Sequence, residues 1–147
     1  MLAGLLLLAG AAGATALLIW LQRDRRYHSS DSVAAAYDAW TDDRLLERLW
    51  GDHVHLGHYG DPPEQVDFRQ AKQAFVHELV RWSGLDQLPR GSRVLDVGCG
   101  IGGSARILAR DYGFDVLGVS ISPAQIRRAT ELTPEGTTCR FQVMDAL

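Results

Sequence analysis

The stretch Val94-Leu-Asp-Val-Gly-Cys-Gly-Ile-Gly-Gly-Ser-Ala105 decides the fold of this chain. An apolar, β-branched run that contains Asp96 turns through four closely spaced glycines into helix-forming residues. Glycine lets the main chain take positive φ values and lets a ligand approach it closely. The helix that follows offers unpaired N–H groups to whatever binds in the turn. The stretch therefore predicts a strand–turn–helix unit that binds a nucleotide-type cofactor.

Two cofactors compete for this turn, because Gly98, Gly100 and Gly103 also match the dinucleotide spacing G-x-G-x-x-G. That spacing alone is weak evidence. Asp96 favours S-adenosylmethionine (SAM), since a carboxylate there suits an ammonium group and repels a pyrophosphate. The dinucleotide fingerprint also wants an acid at the end of the second strand, and Val116-Leu-Gly-Val-Ser120 ends in serine. The residues favour SAM, while a dinucleotide and a purely structural glycine turn stay open.

The second half of the sequence alternates strand, helix, strand, helix and strand. We expect strands near residues 93–97, 114–119 and 138–144, with helices near 103–112 and 123–132. Alternation of this kind is typical of right-handed βαβ units on a parallel sheet. The predicted fold class is therefore α/β, with a Rossmann-like domain over residues 93–147. Because a doubly wound sheet needs more than three strands, we expect this sequence to be an N-terminal fragment.

Residues 27–92, which precede the sheet, are predicted to be mainly helical. One helix is expected over residues 33–50, with a break near Thr41. A loop rich in histidine, glycine and aromatic residues follows over residues 51–60. We expect this region to cover the cofactor and the substrate.

The second predicted helix of this region has a clear start signal. Asp61 is the expected N-cap, Pro62 takes the first helical position, and Glu64 completes a capping box. Apolar residues then recur at helical spacing and predict a buried stripe. The stripe consists of Phe68, Ala71, Phe75, Leu79 and Trp82.

Residues 1–26 differ from the rest of the chain. Leu2 to Leu21 carry no charge, and Thr15 is the only polar residue among them. Such a segment spans about 30 Å as a helix, which is the thickness of a bilayer core. Three arginines follow by position 26, so the positive-inside rule predicts a single-pass anchor with the domain facing the cytoplasm. A signal peptide cleaved at Ala14-Thr-Ala16 is the alternative.

Charge and cysteine content restrict the partners. The formal net charge of −3 provides no basic footprint, so nucleic acid is not expected as a partner. Cys99 and Cys139 lack metal-ligand spacing and are expected to be reduced thiols of a cytosol-facing protein, while a disulfide between them stays open.

Five blocks of the sequence resemble class I SAM-dependent methyltransferases, especially the quinol and tocopherol methyltransferases of cyanobacteria and plastids. The blocks are Ser30-Asp-Ser-Val-Ala-Ala-Ala-Tyr-Asp38, Trp50-Gly-Asp-His-Val-His-Leu-Gly-His-Tyr-Gly60, Val94-Leu-Asp-Val-Gly-Cys-Gly-Ile-Gly-Gly103, Gly118-Val-Ser-Ile-Ser-Pro-Ala-Gln125 and Arg127-Arg-Ala-Thr-Glu-Leu-Thr-Pro134. The second block is far more specific than the glycine turn, which many methyltransferases share.

The resemblance implies that SAM donates a methyl group to a ring carbon of a prenylated quinol, a step toward tocopherol or plastoquinone. A membrane anchor fits such a lipid-like substrate, because its tail is insoluble in water. A sterol or fatty-acyl acceptor stays open, as does a truncated, non-catalytic SAM-binding or membrane interaction module.

The resemblance also implies roles for residues around SAM. The loop around its methionine part is assigned to Asp96, Gly98, Gly100 and Gly102. Ser120 stands where many methyltransferases place an acid for the ribose, and Gln125 would help instead unless it only caps its helix. Asp145 would accept a hydrogen bond from the adenine amino group near the Ala146 N–H, unless it is only a turn residue.

The histidine-rich loop supplies the candidate base. Deprotonation of a quinol hydroxyl pushes electron density onto the ortho carbon, and a neutral histidine can take that proton. The candidates are His53, His55 and His58, with Tyr37 and Tyr59 shaping the substrate pocket. Structural hydrogen bonding by the same histidines stays open. We predict no metal, since the histidine spacing fits no zinc module known to us and this methyl transfer needs none.

Overall fold

The computed structural model describes residue 15 and residues 29–146 of the chain. The elements, in chain order, are α1 (Ser30–Asp42), α2 (Leu45–Trp50), α3 (Phe68–Ser83), a 3-10 turn (Leu85–Gln87), β1 (Arg93–Val97), α4 (Gly103–Tyr112), β2 (Asp115–Ser120), α5 (Pro123–Glu131) and β3 (Cys139–Val143). The predicted strands and helices of the second half are confirmed, with shifts of one residue at some ends.

The three strands form one parallel sheet in the order β1-β2-β3. Val97 pairs with Val119 on β2, and Ser120 pairs with Val143 on β3. Because the strands are parallel, their carboxyl ends lie along one edge, where ligands bind in open α/β sheets. The predicted Rossmann-like α/β class is confirmed.

The apolar core lies between one face of the sheet and helices α3 and α4. Val80, Leu108, Phe114 and Val116 are buried there together with alanines of α4. On β1 the side chains of Leu95 and Val97 remain more than half exposed. Among the described residues, this buried core therefore joins β2 to α3 and α4.

Helix α3 begins later than predicted. Asp67, not Asp61, is its N-cap, and the Asp67 carboxylate accepts hydrogen bonds from the main-chain N–H groups of Arg69 and Gln70. Residues 61–63 instead form a turn that the Glu64 N–H closes by donating to the Tyr59 carbonyl at 2.7 Å. The predicted capping box at Asp61 is therefore wrong, because a second carboxylate closer to the apolar repeat caps the helix.

The buried face of α3 also differs from the predicted stripe. Ala71, Lys72, Val76 and Val80 are its buried residues. Trp82, which the apolar pattern predicts to be inside, is 84% exposed, and Leu79 is 46% exposed. The two faces share Ala71, on which the loop before the helix packs closely: a Cβ on Gly57 would lie 2.6 Å from the Ala71 Cβ.

Polar contacts dock α1 and α2 onto α5. The Asp38 carboxylate accepts hydrogen bonds from the Ser122 hydroxyl (2.5 Å) and the Ala124 N–H (3.0 Å) at the start of α5. Glu47 of α2 accepts two hydrogen bonds from the Arg128 guanidinium, at 2.5 and 2.8 Å. The predicted long helix is broken at Arg44, whose φ of 54° ends it, three residues after the expected position.

The predicted membrane anchor, residues 2–21, lies outside the described residues except for Thr15. Among the helices that are described, none is both long and apolar enough to cross a membrane.

Candidate functional site

A cavity of about 670 Å³ opens at the carboxyl ends of the strands. Its wall comes from α1, the loop after α2, the glycine turn and the segments that follow β2 and β3. That volume lies within the range of small-molecule sites, about 300–1,000 Å³. The cavity therefore lies where the sequence predicts a cofactor.

Asp96 is the most unusual polar group of this cavity. In the part of the chain that the structure describes, its Oδ2 is buried and has no hydrogen-bond partner. Burial raises the pKa of the Asp96 carboxyl above its ordinary value, with His55 opposing the effect. A buried carboxylate without a partner is costly, so a cation that binds beside it gains a strong, charge-assisted contact.

Gly98 and Gly100 line the cavity with positive φ values of 76° and 55°. A Cβ on either glycine would meet no atom within 4 Å, so their main chain borders open space that a ligand can occupy. Gly102 has a different place. A Cβ there would lie 2.7 Å from the Phe141 Cζ, and Gly102 is not part of the cavity wall. Its missing side chain lets the turn pack on β3.

Ser120 and Gln125 form one hydrogen-bonded unit at the end of β2. The Ser120 hydroxyl donates to the Gln125 Oε1 at 2.8 Å and accepts from the Ser122 N–H at 3.2 Å. The Ser122 hydroxyl caps α5 by accepting from the Gln125 N–H. Both Ser120 and Gln125 line the cavity, and with Oε1 occupied the Gln125 Nε2 is the group left to donate to a ligand.

Asp145 and Ala146 line the far end of the same cavity. They follow β3, and the Met144 N–H donates to the Ser120 carbonyl at 2.9 Å. The structure thus brings the ends of all three strands to one cavity, as the predicted adenine and ribose contacts require.

Two of the three candidate histidines form a hydrogen-bonded pair in the cavity wall. The His55 Nε2 lies 3.1 Å from the His53 Nδ1, and the His55 Nδ1 lies 2.7 Å from the Leu56 carbonyl oxygen. Because a carbonyl only accepts, the His55 Nδ1 carries a proton. In the neutral pair the His53 Nδ1–H therefore donates to the His55 Nε2.

His53 stays neutral in this pair. It is 7% exposed, and burial, helped by the neighbouring His55, lowers its pKa to about 4. In the neutral pair each ring keeps one nitrogen with a lone pair. The arrangement can accept one proton from a ligand in the cavity.

The other three residues predicted to contact the substrate differ in their position relative to the cavity. Tyr37 lines the cavity, whereas His58 and Tyr59 do not. The His58 N–H donates to the Ala71 carbonyl at 2.7 Å, which fixes the loop against α3. The structure thus separates His58 from the histidine pair.

Sequence reasoning missed an ion pair that ties the histidine loop to the glycine turn. The Arg106 guanidinium donates to the Asp52 carboxylate and to the Ile101 carbonyl, both at 2.7 Å. A Cβ on Gly103 would lie 2.6 Å from the Asp52 carbonyl oxygen, so the loop lies directly on the helix start. No local signal could have revealed this contact, because Asp52 and Arg106 are 54 residues apart in sequence.

Neither a reactive thiol nor a metal cluster accompanies this site. Burial raises the pKa of the Cys99 thiol to about 12, so Cys99 is no nucleophile at neutral pH. Within residues 29–146, no group of three or more histidine, cysteine, aspartate or glutamate side chains could hold a metal ion.

Comparison with known proteins agrees with this geometry. Residues 94–147 match the family described as a methyltransferase domain. The chain is 61% identical to 2-methyl-6-phytyl-1,4-hydroquinone methyltransferase of Synechocystis sp., over 95% of this chain and 42% of that protein. It is 38% identical to chloroplastic tocopherol O-methyltransferase of Arabidopsis thaliana, over 70% of this chain and 32% of that protein.

A solved structure of geranyl diphosphate methyltransferase, in complex with GPP and sinefungin, has the same fold. The TM-score is 0.57 at 26% identity, over 79% of this chain and 49% of that one. The chain thus spans less than half the length of these three proteins. The matches confirm the resemblance to quinol and tocopherol methyltransferases that the sequence predicts.

Proposed function

We propose that this chain is part of an enzyme that methylates a ring carbon of a prenylated quinol with SAM. Its residues 94–147 match the family of methyltransferase domains. The observation that carries the proposal is the buried Asp96 Oδ2, which has no hydrogen-bond partner among the described residues and belongs to a residue in the wall of the cavity, beside Gly98 and Gly100. The 61% identity to a phytyl-hydroquinone methyltransferase supports the choice of acceptor.

The residues present fit SAM along the whole cavity. Asp96 would hold the ammonium group, and Gly98 and Gly100 leave room for the methionine part. Gln125 would donate to the ribose hydroxyls, while Asp145 and Ala146 would face the adenine. When bound, SAM supplies a methyl group on a sulfonium sulfur, which is a good leaving group.

The His53–His55 pair supports the role of base. The pair would take the proton of a quinol hydroxyl, which makes the ortho carbon electron-rich. That carbon takes the methyl group, and its own hydrogen leaves as a proton when the ring regains aromaticity, so the net reaction releases one proton. Because the pair lines the same cavity as Asp96, acceptor and donor can be held together, which itself accelerates the reaction.

Apolar and aromatic side chains of α1 and of the histidine loop support a lipid-like acceptor. Tyr37 and Trp40 pack edge to face with ring centroids 5.6 Å apart, and both line the cavity with Val33 and Val54. The Trp40 and Val54 side chains are 47% and 67% exposed. Such a rim would contact the prenyl tail of a quinol whose ring lies deeper.

Membrane anchoring is part of the proposal. Ser30, the first residue of α1, itself lines the cavity. If residues 2–21 lie in a bilayer, the eight residues 22–29 can span at most about 29 Å. The cavity would therefore lie close to the cytoplasmic membrane surface, from which the enzyme would take its substrate.

The acceptor is tested with the full-length protein, labelled SAM and a panel of acceptors. The panel contains a prenylated quinol, the same quinol without its tail, a sterol and an unsaturated phospholipid. We expect label mainly in the prenylated quinol, with less in the tail-less one. Label only in the sterol or the phospholipid, or in none of the four, would contradict the proposal.

The anchor is tested by fractionation. The full-length protein should sediment with membranes and resist carbonate extraction, because a spanning helix is released only by detergent. Recovery of a processed protein that begins after Ala16 in an exported compartment would contradict the membrane anchor. It would not bear on the proposed methyl transfer.

A further inference from the structure

We infer that Lys72 is the positioning residue of the histidine loop: its ammonium holds the main chain at Trp50 and His53 and thereby presents the His53–His55 pair to the cavity. The inference rests on the proposed role of that pair. Lys72 lies on α3, behind the loop and outside the cavity that contains Asp96.

Lys72 is a buried cation, 5% exposed. Its Nζ donates to the His53 carbonyl at 2.7 Å and to the Trp50 carbonyl at 3.0 Å. The same Nζ lies 5.2 Å from the Trp50 ring centroid and 5.1 Å from that of Phe68. Carbonyl dipoles and aromatic faces thus replace the water around this charge.

The sequence itself distinguishes this position. Lys72 is the only lysine of the chain, and the other fourteen of its fifteen basic residues are arginines. An ammonium is compact and directs three donors tetrahedrally, whereas a guanidinium is a wide, planar fork. Two carbonyls three residues apart, flanked by two aromatic rings, suit the compact group. Arginine occupies the sites that face carboxylates, such as Arg106 and Arg128.

The two anchored carbonyls bracket the segment that carries the site. One belongs to the last residue of α2, and the other belongs to His53 itself. Between them, Asp52 is held by Arg106 from the other side. Lys72 holds the main chain of this segment at Trp50 and His53, and Arg106 holds the Asp52 side chain between them. Loss of Lys72 removes one of these two constraints.

The test compares Lys72→Met with wild type in the full-length protein. Methionine keeps the length and the apolar stem but removes the donors and the charge. We expect kcat to fall by about 10- to 100-fold, the range that a misplaced reactive group costs. KM for SAM should change less than about threefold, because Asp96 and the glycine turn are untouched. A variant that folds and keeps kcat within about twofold overturns the inference.

Arg69→Met is the matched control. Arg69 lies one turn earlier on α3 and donates to the Arg48 carbonyl of α2 at 3.0 Å, so its loss also removes a cation and a main-chain contact of the region. We expect kcat to stay within about twofold of wild type. An equal loss of kcat in both variants would show that any loosening of this region lowers kcat. The specific role of Lys72 would then be refuted.

A second variant and a second measurement cover the other outcomes. Lys72→Arg keeps the charge but places a planar fork in a site that suits the compact ammonium, so kcat should fall, though less than in Lys72→Met. It replaces Lys72→Met if the latter fails to fold, and a kcat within about twofold of wild type then overturns the inference. Independently of turnover, nitrogen-15 spectra of the histidine rings should show the His53–His55 hydrogen bond in wild type and its loss in the variant. An unchanged hydrogen bond in a folded variant refutes the inference even if the wild-type protein methylates no quinol.

Discussion

A single substitution at Asp96 tests the assignment of SAM as the cofactor. Asp96→Asn removes the charge but keeps the shape, so a charge-assisted contact to the SAM ammonium becomes a neutral one. We predict that the free energy of SAM binding weakens by about 1.5–3 kcal/mol. Calorimetry on the full-length protein measures this directly.

Asp115→Asn is the control for that measurement. Asp115 pairs with Arg140 on the surface, at 2.9 and 3.0 Å, away from the cavity. SAM affinity should be unchanged in this variant. Asp96→Asn should also leave the ligand-free protein no less stable, because it removes a buried charge without a partner. Wild-type affinity in Asp96→Asn would contradict the assignment.

The lowered pKa of His53 predicts that the stability of the fold depends on pH. Its pKa is about 4 in the folded chain and 6.5 in the reference state, so between these values the unfolded state binds the extra proton. The free energy of unfolding should therefore rise with pH across this window, by at most about 3 kcal/mol, and fall as the solution is acidified through it.

Denaturant unfolding of wild type and His53→Gln from pH 4 to 7 measures this contribution. The two curves should diverge as the pH rises, since glutamine does not titrate. Parallel curves would mean that the His53 ring is not kept neutral by burial.

At the residue scale, the sequence predicts the groups at strand ends best. Asp96, Ser120, Gln125 and Asp145 all lie in one cavity wall, because strand alternation and parallel pairing dictate where their elements end. Lys72 could not be placed in the same way. Its burial depends on two carbonyls about twenty residues earlier in the sequence, and no periodicity encodes such a contact.

At the scale of elements, a carboxylate of α1 joins this helix to α5. It acts as a second N-cap of α5, beside Ser122. Asp38 accepts from the Ser122 hydroxyl and the Ala124 N–H. We predict that Asp38→Ala lowers the free energy of unfolding by about 1–2 kcal/mol, as loss of an N-cap or a buried hydrogen bond does. Denaturant unfolding of the full-length protein measures it.

Asp42→Ala is its matched control on the same helix. Asp42 faces Arg127 at 3.5 Å, and both side chains are largely exposed. Such surface pairs contribute little, so we expect a change below about 0.5 kcal/mol. Equal losses in the two variants would show that Asp38 acts only as a surface charge.

The first residue of a helix is predicted well where the sequence offers one N-cap candidate. It is predicted poorly where two candidates lie close together. The helix predicted near residues 123–132 is observed as α5, which Pro123 begins and the Ser122 hydroxyl caps locally. Helix α3 had two carboxylates within reach, Asp61 and Asp67, and the one nearer the apolar repeat caps it. Spacing alone also misplaces the buried face of α3: the apolar stripe predicts Trp82 inside, but the buried face runs through Ala71, Val76 and Val80 and leaves Trp82 84% exposed.

At the scale of the whole molecule, two kinds of packing meet at the cavity. An apolar core joins the sheet to α3 and α4, while α1 and α2 are docked mainly by charges and hydrogen bonds. Apolar burial contributes most to stability in folded domains. Polar docking can open at lower cost, which would suit a segment that covers the entrance for the proposed lipid-like substrate.

The position of the transferred methyl group tests the central claim most directly. The full-length protein is incubated with SAM labelled with carbon-13 in its methyl group and with a prenylated quinol, and the product is examined by NMR. We predict one new methyl signal bound to an aromatic ring carbon, and a slower rise of the same signal in the Asp96→Asn variant at SAM concentrations near the wild-type KM. A label on the quinol oxygen, or an unlabelled quinol, would contradict the account.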